Sequence, residues 1–222
     1  MKKYSTDENE KSSENIYNMI QNIKILSIVF SGKAQIRQHV PGKPNPTGLK
    51  LFLLSTADGM TLDFEVYQGK GTFSKTEQDY PDVTISGLSV LHLAENLTEG
   101  DSLKFDKYFC TLNLFDALLS LGITATGPIM KNRLQNNKET KLPDDGSMKN
   151  RGEIKSVVRS DGKLCLTKWK DNKCIVMAST EHGSEPISKV RRWSVSEKKH
   201  IDIDCPHVVK QYNAYMGGVD LM

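Results

Sequence analysis

Two aspartates stand where a divalent cation could use them. Asp106 closes the short apolar run Leu103-Lys104-Phe105, just ahead of a second apolar stretch with helical spacing. Asp220 follows Gly217-Gly218-Val219, where the absent side chains let backbone or a metal ion come close. Hard cations take carboxylate oxygens, and those oxygens have to be gathered from separate elements of a fold. Two such ions held ~4 Å apart activate an attacking oxygen and stabilise a leaving one, which is the chemistry of phosphodiester cleavage and transfer. Each aspartate also has a plain structural reading. An Asp near a helix start is often a cap or a dipole partner, and an Asp after Gly-Gly can simply be solvated.

The remaining reactive residues form weaker patterns. The four cysteines, Cys110, Cys165, Cys174 and Cys205, make no C-x-x-C pair, so reduced thiols are expected and no zinc site. None of the five histidines has a partner at ligand spacing, and no Ser-His-Asp or Cys-His arrangement can be assembled. Gly69-Lys70-Gly71-Thr72 lacks the spacing of a phosphate-binding loop. A basic cluster with an aromatic is more informative: Lys189, Arg191, Arg192 and Trp193, followed by Lys198 and Lys199. Cations there can neutralise phosphates while the indole stacks on a base. The same residues would also suit a solvated edge strand protected by charge.

The elements that must position these groups read as mixed α/β. Residues 23–30 form a β-branched run suited to a buried strand, and residues 34–40 alternate and could pair with it. After a Pro- and Gly-rich connection, strands are expected over 49–56 and 62–67, separated by Ala57-Asp58-Gly59. Helical spacing appears over 89–97 and 113–121, with a short strand at 103–105 between them and another over 123–130. Strand, helix, strand in that order implies a right-handed crossover and a parallel pair. Residues 131–153 read as a long loop, and three strands at 155–159, 163–169 and 174–179 follow around Asp161-Gly162 and Asp171-Asn172 turns. Residues 206–215 return to a helical pattern behind Pro206. The net charge of +3 permits a nucleic-acid partner without demanding one, and no apolar run approaches the ~20 residues of a membrane span. The N-terminus shows no secretory h-region, so the protein is expected to stay inside the cell.

Against this frame the sequence resembles piggyBac-type transposases, the DDE/DDD class with an IS4-like transposase domain. Tyr212-Asn213-Ala214-Tyr215-Met216-Gly217-Gly218-Val219-Asp220 is similar to the family signature around its third catalytic aspartate. Phe105-Asp106-Lys107-Tyr108-Phe109 is similar to the segment around the second, with Lys107 where the family has Asn. Phe30-Ser31-Gly32-Lys33, Arg37-Gln38-His39, Lys43-Pro44, Gly48-Leu49-Lys50-Leu51, Tyr67-Gln68-Gly69-Lys70-Gly71, Gly127 with Asn132-Arg133, Lys168 to Lys173 and Ser179-Thr180 follow in the family's order. The resemblance implies a ribonuclease H-like mixed sheet with flanking helices and a β-rich insertion, truncated at its C-terminal end. It divides the chain into a polar, partly disordered lead-in (1–22), the first part of the core (23–130), a loop and β-rich insertion (131–200), and the final helix with the Gly-Gly-Val-Asp segment (201–222).

The departures shape what the resemblance implies for function. The family's first catalytic aspartate lies six residues before the Phe of its Phe-x-Gly-Arg/Lys segment, and that count lands on Lys24, with Ile25 in place of a Glu. No acidic residue lies between Glu14 and Asp58. A lysine there sets a positive charge where Mg²⁺ or Mn²⁺ would sit. Asp106 and Asp220 are then relics of a three-carboxylate site that no longer binds metal productively. The expected function is a nuclear, transposase-derived protein that binds DNA or chromatin at most, without a membrane or small-molecule partner. A fragment of an active transposase acting at TTAA targets is the alternative, and a protein-interaction module, as a dimer or with a full-length relative, is another. Uncovered apolar core surface is expected from the missing C-terminal helices.

Overall fold

The computed structural model describes residues 20–30, 32–39, 47–134 and 138–217. The β-branched run forms β1 (Ile20–Val29), whose alternation sends Ile23 into the core and Asn22 and Lys24 to the other face. A two-residue strand β2 (Gln38–His39) pairs with β3 (Thr47–Thr56), whereas the alternation at 34–40 suggests a pairing with β1. β3 itself runs antiparallel to β1, Leu54 opposite Ile23, and the Thr56–Met60 turn returns the chain as β4 (Thr61–Val66) on its far side.

A short helix α1 (Ser74–Asp79) then appears where the sequence shows no apolar periodicity, since only Thr76 of its residues is buried. α2 (Ile85–Ala94) begins four residues earlier than the spacing at 89–97 implies. Thr84 sets that start by accepting from the Gly87 backbone N–H at 3.4 Å. β5 (Ser102–Phe105), α3 (Leu112–Ser120) and β6 (Thr124–Pro128) form the expected crossover, with β5 parallel to both β1 and β6.

The described parts of the polar stretch after β6 are irregular, with single 3₁₀ turns, and are tied down where Asp145 meets both Lys131 and Lys168. β7 (Ile154–Val158), β8 (Cys165–Lys170) and β9 (Cys174–Ser179) follow. They do not stand apart from the body: β9 pairs antiparallel with β6, Ala178 opposite Gly127, and extends one nine-stranded sheet. Among the described strands, β10 (Ser188–Ser194) and β11 (Lys199–Cys205) form a separate hairpin, which leads into α4 (His207–Tyr215).

Helices α2 and α3 cover one face of the sheet around Ile23, Phe52, Leu103, Phe105, Phe115 and Ala125. The β10–β11 hairpin and α4 cover the other near β8 and β9, around Trp169, Met177, Ile203, Val208 and Val209. On that second face, further along the sheet, Leu26, Ile28 and Phe64 remain 38%, 44% and 55% exposed. No described helix is long and apolar enough to cross a membrane.

Candidate functional site

Asp106 emerges from the end of β5 into a tight turn. Its carboxylate Oδ1 accepts from the Tyr108 N–H at 3.1 Å, and its carbonyl accepts from the Phe109 N–H at 3.0 Å. It does not cap α3, because Thr111 does so, accepting from Leu114 N–H at 3.3 Å. The carboxylate therefore stays at the surface, while Phe109 and Cys110 anchor the turn as fully buried residues.

Two residues of the downstream segment fix that turn against the sheet. Arg133 donates one guanidinium nitrogen to the carbonyls of Lys107, Tyr108 and Cys110, at 3.1, 3.0 and 2.6 Å. Gly127 lets β6 pass beneath, since a Cβ there would fall 2.5 Å from both the Phe105 carbonyl oxygen and the Cys110 sulfur. The sequence singled out both residues only through resemblance; their contacts with the turn were not legible from it.

The strand register settles where Lys24 lies. Ile23 of β1 is opposite Phe105 of the parallel β5, the last pair of that ladder, so Lys24 and Asp106 each follow directly after it. Helix α4 closes on the same place: burial, with the nearby Asp106 carboxylate and Cys110 thiol, pushes the Tyr212 hydroxyl well above its ordinary pKa. Asp220, with Gly218 and Val219, lies outside the described residues. Among the described residues no group of three or more His, Cys, Asp or Glu side chains could hold a metal ion.

Behind Asp106 runs a buried polar row that the sequence did not announce. Ser55, Asn22, Lys104, Thr126 and Ser179 sit in register on five neighbouring strands, each at most 1% exposed. Lys104 donates to Glu181 and to Ser102, and Glu181 also accepts from Ser102, Thr124 and Thr126. Burial works against ionising Glu181, yet the Lys104 ammonium and the Ser102 and Thr124 hydroxyls hold its carboxyl below the ordinary value. A carboxylate depressed in the fold stabilises above the unfolded value of 4.5, and that stability is lost as pH falls through the lower, folded value. Replacing Glu181 by Gln strands the Lys104 charge and is expected to cost about 3 kcal/mol at neutral pH. Removing both charges as Lys104→Met/Glu181→Gln should recover much of that loss. Urea denaturation at pH 7 and pH 4 checks both expectations.

The basic cluster is divided by the β10–β11 register. Arg192 turns inward, its Nε 3.1 Å from Asp171, which also binds Arg151 at 2.8 Å and so ties the hairpin to the sheet. Lys189 pairs with Asp204 at 2.5 Å, and Lys199 with Glu197 at 2.9 Å. Arg191, Lys198 and Trp193 stay exposed, and no described carboxylate pairs with Arg191 or Lys198. Trp193 is 52% exposed and meets His200 edge to face, ring centroids 5.2 Å apart. The surface thus keeps fewer free cations than the residue count suggests.

Sequence and fold comparisons converge on one family. The Transposase IS4 family model matches residues 14–222. The chain belongs to that family. PiggyBac transposable element-derived protein 3 of Homo sapiens is 31% identical over 198 residues, covering 87% of this chain and 32% of its own length. PiggyBac transposable element-derived protein 2 of Homo sapiens is 28% identical over 197 residues, with the same coverage of each chain. The chain thus spans about a third of the length of these curated relatives. A solved piggyBac transposase chain, from a synaptic complex with hairpin DNA, superposes with a TM-score of 0.68 at 21% identity over 92% of this chain and 39% of its own. The nine-stranded mixed sheet with its β5–α3–β6 crossover is therefore the ribonuclease H-like fold of a DDE-type transposase, and the chain is a transposase-derived domain of piggyBac type. DDE-type transposases use divalent metal.

Proposed function

We propose that this domain binds DNA in the nucleus and no longer cuts it. One observation carries the reading: the β1–β5 ladder ends on the Ile23–Phe105 pair, so Lys24, where the resemblance expects a carboxylate, and Asp106 each follow directly after it. An ammonium at that point opposes Mg²⁺ or Mn²⁺ directly, because like charges a few ångströms apart repel by several kcal/mol at reduced dielectric. Should a metal load nonetheless, Asp106 and Asp220 are the residues that would hold it, and it would supply charge neutralisation at the phosphodiester. Arg191, Lys198 and Trp193 would meet the phosphates and bases, with Lys189, Arg192 and Lys199 released only if their ion pairs open.

Fluorescence anisotropy of a labelled duplex carrying TTAA, across a salt series, tests the binding half. Saturable binding that weakens with a log–log salt slope of about −2 to −4 is expected from two to four phosphate contacts. Absence of binding at low salt would remove DNA from the account. The exposed apolar residues Leu26, Ile28 and Phe64 favour a second reading, association with another copy or with a longer relative. Concentration-dependent sedimentation that is lost in Phe64→Ser would support it.

A further inference from the structure

We infer that Lys50 is a positioning residue for the Asp106 turn, an inference that rests on reading Asp106 as a surviving carboxylate of the site. Lys50 lies on β3, 58 residues before Tyr108 and two positions along the same face from Phe52. Its ammonium stands 4.7 Å from the Phe52 ring centroid, 5.1 Å from that of Tyr67 and 4.9 Å from that of Tyr108. It also donates to the Tyr108 hydroxyl at 3.1 Å. Three rings around one ammonium give a concentrated cation–π contact.

The contact reaches Asp106 through a short chain of interactions. Tyr108 supplies the backbone N–H that fixes the Asp106 carboxylate, so the position of its ring sets the position of that donor. Phe109 extends the support downward, edge to face with Phe52, Phe105 and Tyr108 at 6.1, 6.4 and 5.3 Å. Arg133 holds the carbonyls of the same turn from the other side. Arg133 touches only backbone carbonyls of the turn, and on the outer side of the Tyr108 ring, 37% exposed, Phe109 leaves room for the Lys50 ammonium. Lys50 supplies the restraint there.

Cys110, fully buried at the end of the turn, reports on its opening, and Cys205, 1% exposed beneath α4, serves as an internal reference. Alkylation of the native chain, read by peptide mapping, would be compared with Lys50→Met, Lys50→Arg and Tyr108→Phe. Cys110 should label about tenfold faster in Lys50→Met with Cys205 unchanged. Lys50→Arg should restore the native rate by keeping a cation over the rings, and Tyr108→Phe should lie between. Equal acceleration of both thiols would mean general destabilisation and overturn the assignment, as would an unchanged Cys110 rate. Tyr108→Phe keeps every ring in place, so it decides the matter if Lys50→Met fails to fold. The labelling needs neither metal nor DNA, so loss of metal or DNA binding elsewhere leaves this result interpretable.

Discussion

Replacing Lys24 by aspartate is expected to give the domain a measurable affinity for Mn²⁺ that the native chain lacks. Without metal the variant should be less stable, since it places a second carboxylate one residue past the Ile23–Phe105 pair that Asp106 also follows. With Mn²⁺ in about 100-fold excess over its dissociation constant, binding to the folded state adds about 2.7 kcal/mol. For a chain of this size that corresponds to a rise in Tm of roughly 5–10 °C. The native protein should shift by less than about 1 °C under the same conditions, and Lys24→Asp/Asp106→Asn should lose the gain. A thermal-shift series with Mn²⁺ and with Ca²⁺ as a hard-cation control makes the comparison. No cleavage is expected from the variant, because Ile25 still stands where the family carries Glu.

The second large effect concerns Gly127. An alanine methyl there would lie 2.5 Å from the Phe105 carbonyl oxygen and from the Cys110 sulfur, and 3.2 Å from the Phe105 ring. Two of those neighbours are pinned: Phe105 is buried between β1 and β6, and the Cys110 carbonyl is held by Arg133. Relief therefore requires the β5 end and its turn to move away from β6. Overpacking of this kind costs about 2–3 kcal/mol, or roughly 5–10 °C in Tm. Because the strain falls on the residue before Asp106, Gly127→Ala should also accelerate Cys110 labelling. Differential scanning calorimetry of Gly127→Ala beside a distant control, Gly146→Ala, checks the point, since Gly146 has open space around its Cβ position.

Much of the scaffold was legible because its signals are local. The β-branched run of β1, the apolar β3 and the turn at Ala57-Asp58-Gly59 carry their own pattern, and the spacing of Leu114, Phe115, Leu118 and Leu119 marks α3. The strand, helix, strand order implies the parallel pair that β5 and β6 form. What escaped reading depends on partners far along the chain. The alternation at 34–40 gives a face but not a neighbour, so the choice of β3 over β1 was open. α1 is a polar surface helix with no apolar stripe to announce it.

The same division holds at the site. Asp106 was visible at the end of an apolar strand, and the family pattern placed Lys24 by counting. The Lys104–Glu181 pair spans 77 residues, and Lys104 reads locally as an ordinary polar position in an alternating strand. The basic cluster misled by composition: Asp204, Glu197 and Asp171, which pair with three of its five cations, come from a facing strand, the hairpin tip and the β8–β9 turn. Asp220 was named from the sequence and lies outside the described residues.

Whether the site still cuts is tested most directly by incubating the native chain with an end-labelled TTAA duplex and Mn²⁺, and resolving both strands under denaturing conditions. Intact strands over many hours, at protein concentrations that saturate binding, are the expected result. Nicked or joined strands whose appearance requires Mn²⁺ and disappears in Asp106→Asn would contradict it, and would show that Lys24 does not keep the metal out.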